Sequence, residues 1–237
     1  MNEAIVLCGG FGTRLRDVIG KKPKILAEIG NATFLDYLLT LLRDVYHVKR
    51  IVLALGYEYN QILTYLNKKS FDIEIGYSIE TTPLGTGGAL KKAVKLIKSE
   101  NCLVLNGDTY LLPTKDFNWN FYKQIKEFPI QMFSIYLEDT SRFGRIEFKR
   151  LNHYTCVVRM KEKGLTGGGW INTGYYFVQK ELLKHLFSEV GEQFSLEHWM
   201  EKNIDKGLQI PVWKLEGYFI DIGVPEDYYR FIDFIKN

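Results

Sequence analysis

The apolar run at residues 4–7, Ala-Ile-Val-Leu, breaks directly into the stretch LCGGFGTRL at residues 7–15, with three glycines in four positions ahead of Thr13 and Arg14. A run this short and this apolar fits a strand buried on both faces. Glycines placed immediately after it let the backbone turn sharply and clear side chains from the strand end, beside a cation. The chain is thereby constrained to a sheet whose first strand ends in a loop built for close approach to something anionic.

Two common phosphate-binding patterns do not fit that loop. A dinucleotide fingerprint needs G-x-G-x-x-G, but Gly10-Phe11-Gly12 is followed by Thr13, Arg14 and Leu15, so the third glycine is missing. A P-loop ends in G-K-[ST], which is also absent. What remains is a set of accessible backbone amides with Arg14, Lys21, Lys22 and Lys24 close by in sequence, a combination suited to a polyphosphate. Pro23 stiffens the backbone before Lys24 and predicts an extended segment that presents one ammonium in a fixed direction. Lys21 and Lys22 read as solvated surface charges.

Further along, short apolar runs at 50–55, 73–79 and 102–105 alternate with helix-period segments at 34–45, 58–66 and 88–97. Thr33 with Asp36 three residues later predicts a capping box on the first of these helices. Such alternation is the signature of a mainly parallel, doubly wound sheet. After about residue 128 the pattern becomes strand-rich, with candidates at 130–136, 145–148, 155–160 and 170–177. Helices are predicted near 180–186 and 196–205, an extended stretch over 210–222, and a last helix opened by Pro225-Glu226-Asp227. No repeat or long linker divides the chain, so one domain over 1–237 is expected, its two differently patterned parts, 1–128 and 129–237, joined within one compact unit.

Composition closes off several alternatives. Lys plus Arg number 31 against 28 for Asp plus Glu, too even a balance for a nucleic-acid or polyanion binder. The three cysteines, Cys8, Cys102 and Cys156, are far apart and show no CxxC spacing, which argues against a disulfide framework or zinc site. No signal-peptide pattern is visible, and no apolar run nears the ~20 residues that span a bilayer, so a cytoplasmic location without membrane contact is expected. His47, His153, His185 and His198 share no metal spacing and are assigned no chemistry.

The composite of Gly9, Gly10, Gly12, Thr13, Arg14 and Leu15 with Pro23-Lys24 resembles the opening of the nucleotide-sugar pyrophosphorylases, also called sugar-1-phosphate nucleotidylyltransferases. The resemblance runs from residue 4 to about 230. It implies a Rossmann-like (GT-A-like) α/β fold with a mainly parallel mixed central sheet flanked by helices and a smaller β-rich sugar-binding part. Pro83-Leu84-Gly85-Thr86-Gly87-Gly88 is similar to the family segment that packs on the nucleotide base, and Glu80 falls where a polar side chain reads the base edge. An ionised carboxylate only accepts hydrogen bonds, which suits the adjacent N1-H and N2-H2 donors of guanine better than the mixed edges of the pyrimidines; GTP is therefore the favoured nucleotide. The nucleotide set implied is Leu7, Gly9, Gly10, Gly12, Thr13, Arg14, Lys24, Glu80, Gly85, Thr86 and Gly107.

Asp108 follows the apolar run 102–105, at the carboxyl end of a predicted parallel strand, where open α/β sheets gather ligands. The segment 221–228, DIGVPEDY, is similar to one whose first Asp joins that strand-end Asp in holding Mg²⁺, so Asp108 and Asp221 are the expected metal ligands. Glu162-Lys163 matches the Glu-Lys pair that meets the sugar phosphate, although Gly164 stands where many relatives have Pro. Gly144 and Asn172 match sugar-contacting positions, and Ser195-Leu196-Glu197 is similar to an architectural helix start. Arg14, Lys24, Asp108, Lys163 and Asp221 are thus the expected catalytic set.

The implied reaction condenses an NTP with a sugar 1-phosphate to give an NDP-sugar and pyrophosphate. Guanylyl transfer to mannose 1-phosphate, or uridylyl or cytidylyl transfer to a hexose 1-phosphate, is an alternative. A catalytically silent, sugar-nucleotide-sensing subunit is a second, against which the intact charged set argues. Longer relatives carry a C-terminal β-helix that this chain lacks, so a minimal catalytic domain is expected, and aromatic residues near the C-terminus raise the prospect of a homo-oligomer.

Overall fold

The computed structural model describes residues 2–123, 126–151, 153–161 and 163–236. Among these residues a seven-stranded sheet runs in the spatial order Val212–Leu215, Ile130–Leu137, Gly169–Gln179, Asn101–Asn106, Glu3–Cys8, Arg50–Leu55, Glu74–Ile79. The last four are mutually parallel. Gly169–Gln179 is antiparallel to both its neighbours, and Val212–Leu215 is parallel to Ile130–Leu137. The mainly parallel, mixed α/β sheet expected from the alternation of runs is the one observed.

The first strand is buried from end to end because both faces of the sheet are covered. Ala4, Val6 and Cys8 join a core with Phe34, Leu38 and Leu42 of the helix Phe34–Asp44 and with Phe231 of the helix Pro225–Lys236. Ile5 and Leu7 face a second core with Leu90, Val94, Leu183 and Met200. This two-sided burial is why the run at 4–7 shows no polar alternation. The predicted capping box is present: Asp36 N donates to Thr33 Oγ1 at 3.4 Å while Thr33 N donates to Asp36 Oδ2 at 2.7 Å.

Parallel register is pinned at the amino ends of three adjacent strands. Glu3, Arg50 and Glu74 are register partners. Arg50 donates from Nη1 to Glu3 Oε1 at 2.5 Å and from Nε to Glu74 Oε1 at 2.8 Å. Glu3 is fully buried, and its second oxygen accepts from the backbone amides of Lys98 and Ser99. At the other end Cys8, Leu55 and Ile79 finish level, so the loops that follow start side by side.

Several boundaries differ from the sequence expectation. The helix placed at 88–97 starts at Gly85 and tightens into a 3-10 turn over Val94–Leu96. Its first turn is held by tertiary bonds from Gly87 N and Gly88 N to Phe194 O, which intrinsic propensity cannot anticipate. The stretch 210–222 is two strands, not one: Val212–Leu215 joins the central sheet, while Gly217–Asp221 pairs antiparallel with Thr109–Pro113, a strand the sequence did not signal. Pro23 is extended as expected, but Lys24–Leu26 is a 3-10 turn. Tyr228 and Phe231 are core residues, Phe231 lying 5.2 Å from the Phe34 ring and 5.0 Å from Tyr110, whereas Tyr229 is exposed. The three cysteines are free and buried. Among the described residues, no helix is long and apolar enough to cross a membrane.

Removing Glu3 would leave the Arg50 guanidinium buried without its strongest partner, a loss of ~3–5 kcal/mol for a broken buried pair. Glu3→Ala is therefore expected to lower the unfolding free energy by that amount, read as a fall in the denaturant midpoint at unchanged m; a change under ~1 kcal/mol would show that the ladder does not hold the strands.

Candidate active site

The carboxyl ends of Glu3–Cys8, Arg50–Leu55 and Glu74–Ile79 bring Gly9, Gly56 and Glu80 into one cluster. A methyl group at Gly9 would lie 2.5 Å from Glu80 Oε1, and one at Gly56 would overlap the same oxygen. The glycines are therefore needed to admit this carboxylate. Glu80 is anchored by its own N–H to Leu55 O at 2.9 Å, and its Oε2 accepts from Leu84 N at 3.3 Å. Burial raises its pKa above the ordinary carboxylate value, against the pull of the Leu84 amide and Lys92.

Glu80 sits in a cleft of about 310 Å³. Of the residues expected to bind nucleotide, Leu7, Gly9, Gly10, Lys24, Gly85, Thr86 and Gly107 line it as well. Gly12, Thr13 and Arg14 stand beyond its walls. Gly12 adopts φ +60 to start the 3-10 turn Thr13–Leu15, and any side chain there would press on Lys24 Cγ at 3.0 Å. The Arg14 guanidinium lies instead beside Gly223, its Nη2 3.3 Å from where a Gly223 methyl would stand. Phe11, half exposed at the cleft rim, packs against Tyr57 with ring centroids 5.5 Å apart.

Thr86 lines the cleft, but its hydroxyl already donates to Glu197 Oε2 at 2.7 Å and accepts from Leu196 N at 2.8 Å. It bolts the start of one helix, Gly85–Ala93, to that of another, Leu196–Ile204. Lys22 is turned away to an ion pair with Glu28 at 2.5 Å, in a separate surface hollow. The cation within the cleft wall is Lys24, ion-paired with Asp108 Oδ2.

Asp108 and Asp221 meet because the strand after Asp108 is the one that pairs with the strand ending at Asp221: Asp221 is the register partner of Thr109, and Ile222 N donates to Asp108 O at 2.9 Å. Asp221 Oδ1 accepts from Gly223 N at 2.7 Å. Burial and then the neighbouring Asp108 carboxylate push the Asp221 pKa up to about 6, with Lys24, the Gly223 amide and Arg142 opposing. A partly buried carboxylate that another carboxylate repels is chemically suited to a cation. Among the described residues no group of three or more His, Cys, Asp or Glu could hold a metal, so an ion bound here would complete its shell with water or ligand oxygens, the habit of Mg²⁺.

On the other side of Asp221 opens a second cleft, of about 620 Å³, lined by Gly144, Lys163, Asn172 and Asp221 among others. Lys163 is exposed on its wall. Gly144 approaches the backbone closely, since a methyl group there would lie 2.8 Å from Lys161 O. Asn172 donates to Tyr176 Oη at 2.6 Å and accepts from Gly174 N at 2.9 Å, which leaves one side-chain N–H for a ligand. Glu162, expected beside Lys163, lies outside the described residues.

Several residues take places in the site that the sequence pattern did not mark. Asn106 lines both clefts and is seated against Gly174, whose φ of +74 and lack of a side chain make room for it; the only signal was its place ahead of Gly107-Asp108. Arg142 ion-pairs with the buried Asp227, tying the loop before Gly144 to the last helix. Glu197, expected to be architectural, does hold Thr86 and also lines the second cleft. His198, assigned no chemistry, faces the same cleft, as does Glu201.

The profile of the Nucleotidyl transferase family matches residues 3–237. The chain is 36% identical over 230 residues to a D-glycero-alpha-D-manno-heptose 1-phosphate guanylyltransferase of Campylobacter jejuni, covering 97% of this chain and 98% of that protein. It is 36% identical to a protein of the same name from Aneurinibacillus thermoaerophilus, covering 95% of each. The crystal structure of HddC from Yersinia pseudotuberculosis complexed with GMP-PN superposes with a TM-score of 0.82 at 31% identity, over 99% of this chain and 100% of that one.

An aspartate raised from 3.8 to about 6 holds its proton more tightly folded than unfolded, so ionising it across that window removes stability as pH rises. In metal-free protein Asp221→Asn is expected to melt higher than wild type at about pH 7.5, the gap closing toward about pH 4. Differential scanning fluorimetry in chelator reads both; an equal or lower melting point at the higher pH would rule out the strained carboxylate pair.

Proposed function

The chain belongs to the Nucleotidyl transferase family, and from that premise we propose that it transfers a guanylyl group from GTP to D-glycero-α-D-manno-heptose 1-phosphate, releasing pyrophosphate. The observation that carries this reading is the pair of clefts that share Asn106 and have Asp108 and Asp221 at their junction. Two phosphorylated ligands, one in each cleft, would bring their phosphates together there. The names of the relatives in Campylobacter and Aneurinibacillus support the heptose and the guanine, and the GMP-PN bound by the Yersinia protein supports a guanine nucleotide.

In this reaction an anionic oxygen of the sugar 1-phosphate attacks the α-phosphorus of GTP, and the bond from that phosphorus to the bridging oxygen of the β-phosphate breaks. The attacking oxygen is already deprotonated near neutral pH, so no general base is needed and the work is alignment and charge neutralisation. Lys24, held in the cleft wall by Asp108, and Arg14, beside Gly223, bind the triphosphate. Gly9, Gly10, Gly12, Thr13 and Gly107 let backbone approach it, and Leu7, Gly85 and Thr86 wall the nucleoside side. Lys163, exposed on the second cleft, lowers the repulsion between the two phosphates. Gly144, Asn172 and Glu162 hold the sugar. Asp108 and Asp221 would hold the divalent cation, Mg²⁺ in this reading, which when bound would supply positive charge against the phosphates. Glu80, seated on Gly9 and Gly56, accepts from the two adjacent donors of guanine, which offsets the cost of burying its charge.

Pyrophosphate release measured with each of four NTPs and several sugar 1-phosphates tests the assignment, and highest turnover with another base or with no sugar phosphate at all would sink it. Asp108→Asn is expected to lower kcat ~10²-fold or more while the protein stays folded; near-wild-type rates would remove Asp108 from the machinery. Glu80→Gln is expected to cut kcat/KM for GTP about tenfold relative to that for UTP, and an unchanged ratio would show that the base is read elsewhere.

A further inference from the structure

The second cleft has walls of opposite charge. Lys163 lies on one side, and the helix Leu196–Ile204 contributes Glu197, His198 and Glu201 on another. Positions 197 and 201 are one helical turn apart and share a face. Two carboxylates on one wall repel a phosphate group, so this wall meets the uncharged, hydroxyl-bearing part of whatever occupies the cleft.

The helix splits its polar side chains between two tasks. Glu197 Oε2 accepts from Thr86 Oγ1 at 2.7 Å and from Ser195 Oγ at 2.8 Å, so the first turn is fastened to the nucleotide cleft. Glu201 is a turn further on, and its partner among the described residues is His198, with Nδ1 to Oε2 at 3.9 Å. That separation is too long for a hydrogen bond. Both side chains are largely in solvent, at 79% and 51% exposure, and neither supports the fold as Glu197 does. A hydroxyl set between them can donate to the Glu201 carboxylate and accept from an imidazole N–H.

We propose that Glu201 and His198 bind the hydroxyls of the exocyclic chain of the sugar phosphate, the end remote from its phosphate, and so favour a seven-carbon over a six-carbon sugar 1-phosphate. This rests on the reading that a sugar 1-phosphate occupies the second cleft. A manno-heptose has the ring hydroxyls of mannose and differs in one added carbon bearing a hydroxyl, so ring contacts through Asn172 and Gly144 do not separate the two. A site can discriminate only where the ligands differ, and an unfilled hydrogen-bonding pair penalises the shorter one.

The test is kcat/KM with GTP for heptose 1-phosphate and mannose 1-phosphate, in wild type, Glu201→Ala and His198→Ala. Wild type is expected to favour the heptose. Each variant is expected to reduce the heptose-to-mannose ratio about tenfold for Glu201 and severalfold for His198, through KM for the heptose, with KM for GTP and melting temperature unmoved. A ratio unchanged in both variants, while wild type turns over heptose 1-phosphate, overturns the inference and leaves the reaction standing. Absence of wild-type turnover with either sugar phosphate overturns the reaction, and this inference with it.

Discussion

The level ending of three parallel strands is the constraint on which the site depends. Glu3, Arg50 and Glu74 lock adjacent strands at their amino ends, and five residues later Cys8, Leu55 and Ile79 finish together. A slip by one residue would turn every side chain to the opposite face and carry Glu80 away from Gly9 and Gly56. The ion ladder and the carboxylate in the cleft are thus two ends of the same register. Between them the first two strands carry only apolar residues, which supply cohesion through burial but select register less sharply than charge pairs do.

A second constraint acts across the junction of the clefts. The chain brings Asp108 and Asp221 together by pairing Thr109–Pro113 with Gly217–Asp221, and the repulsion this creates is met by one ammonium, Lys24, on Asp108 and by the Gly223 amide on Asp221. Arg142, which also draws Asp221 toward ionisation, is itself tied to Asp227. The cluster is therefore electrostatically unfinished on the Asp221 side, the side that opens into the second cleft. Bonds from Thr86 to Glu197 and from Gly87 and Gly88 to Phe194 fasten the walls of the two clefts to each other, so that ligands on the two sides would meet in a geometry set by the fold.

Local patterns were legible where one segment decided the outcome alone. The run 4–7 had to be a doubly covered strand, Thr33 and Asp36 formed their capping box, and Pro225 opened the last helix. The pairing of 109–113 with 217–221 was not legible: 217–221 falls in a stretch expected to be extended, but 109–113 carries no strand signal of its own and their partnership is long-range. The motif around Thr86 places it on the cleft wall, but that its hydroxyl also joins Glu197 and Leu196 is decided by the docking of a distant helix. His198 carried no motif, and only the docking of its helix gave it a place on a cleft wall.

By itself, the sequence determined the chemistry available: a glycine turn without side chains, a lysine after proline, and two aspartates at the ends of apolar runs, all encoded over spans short enough for local sterics to decide. The tertiary structure alone decided which of these groups meet. Contact between Asp108 and Asp221, the burial that raises the Asp221 pKa, and the seating of Glu80 on Gly9 and Gly56 arise from strand register and chain crossing, which join residues distant in sequence and so leave no trace in any single segment.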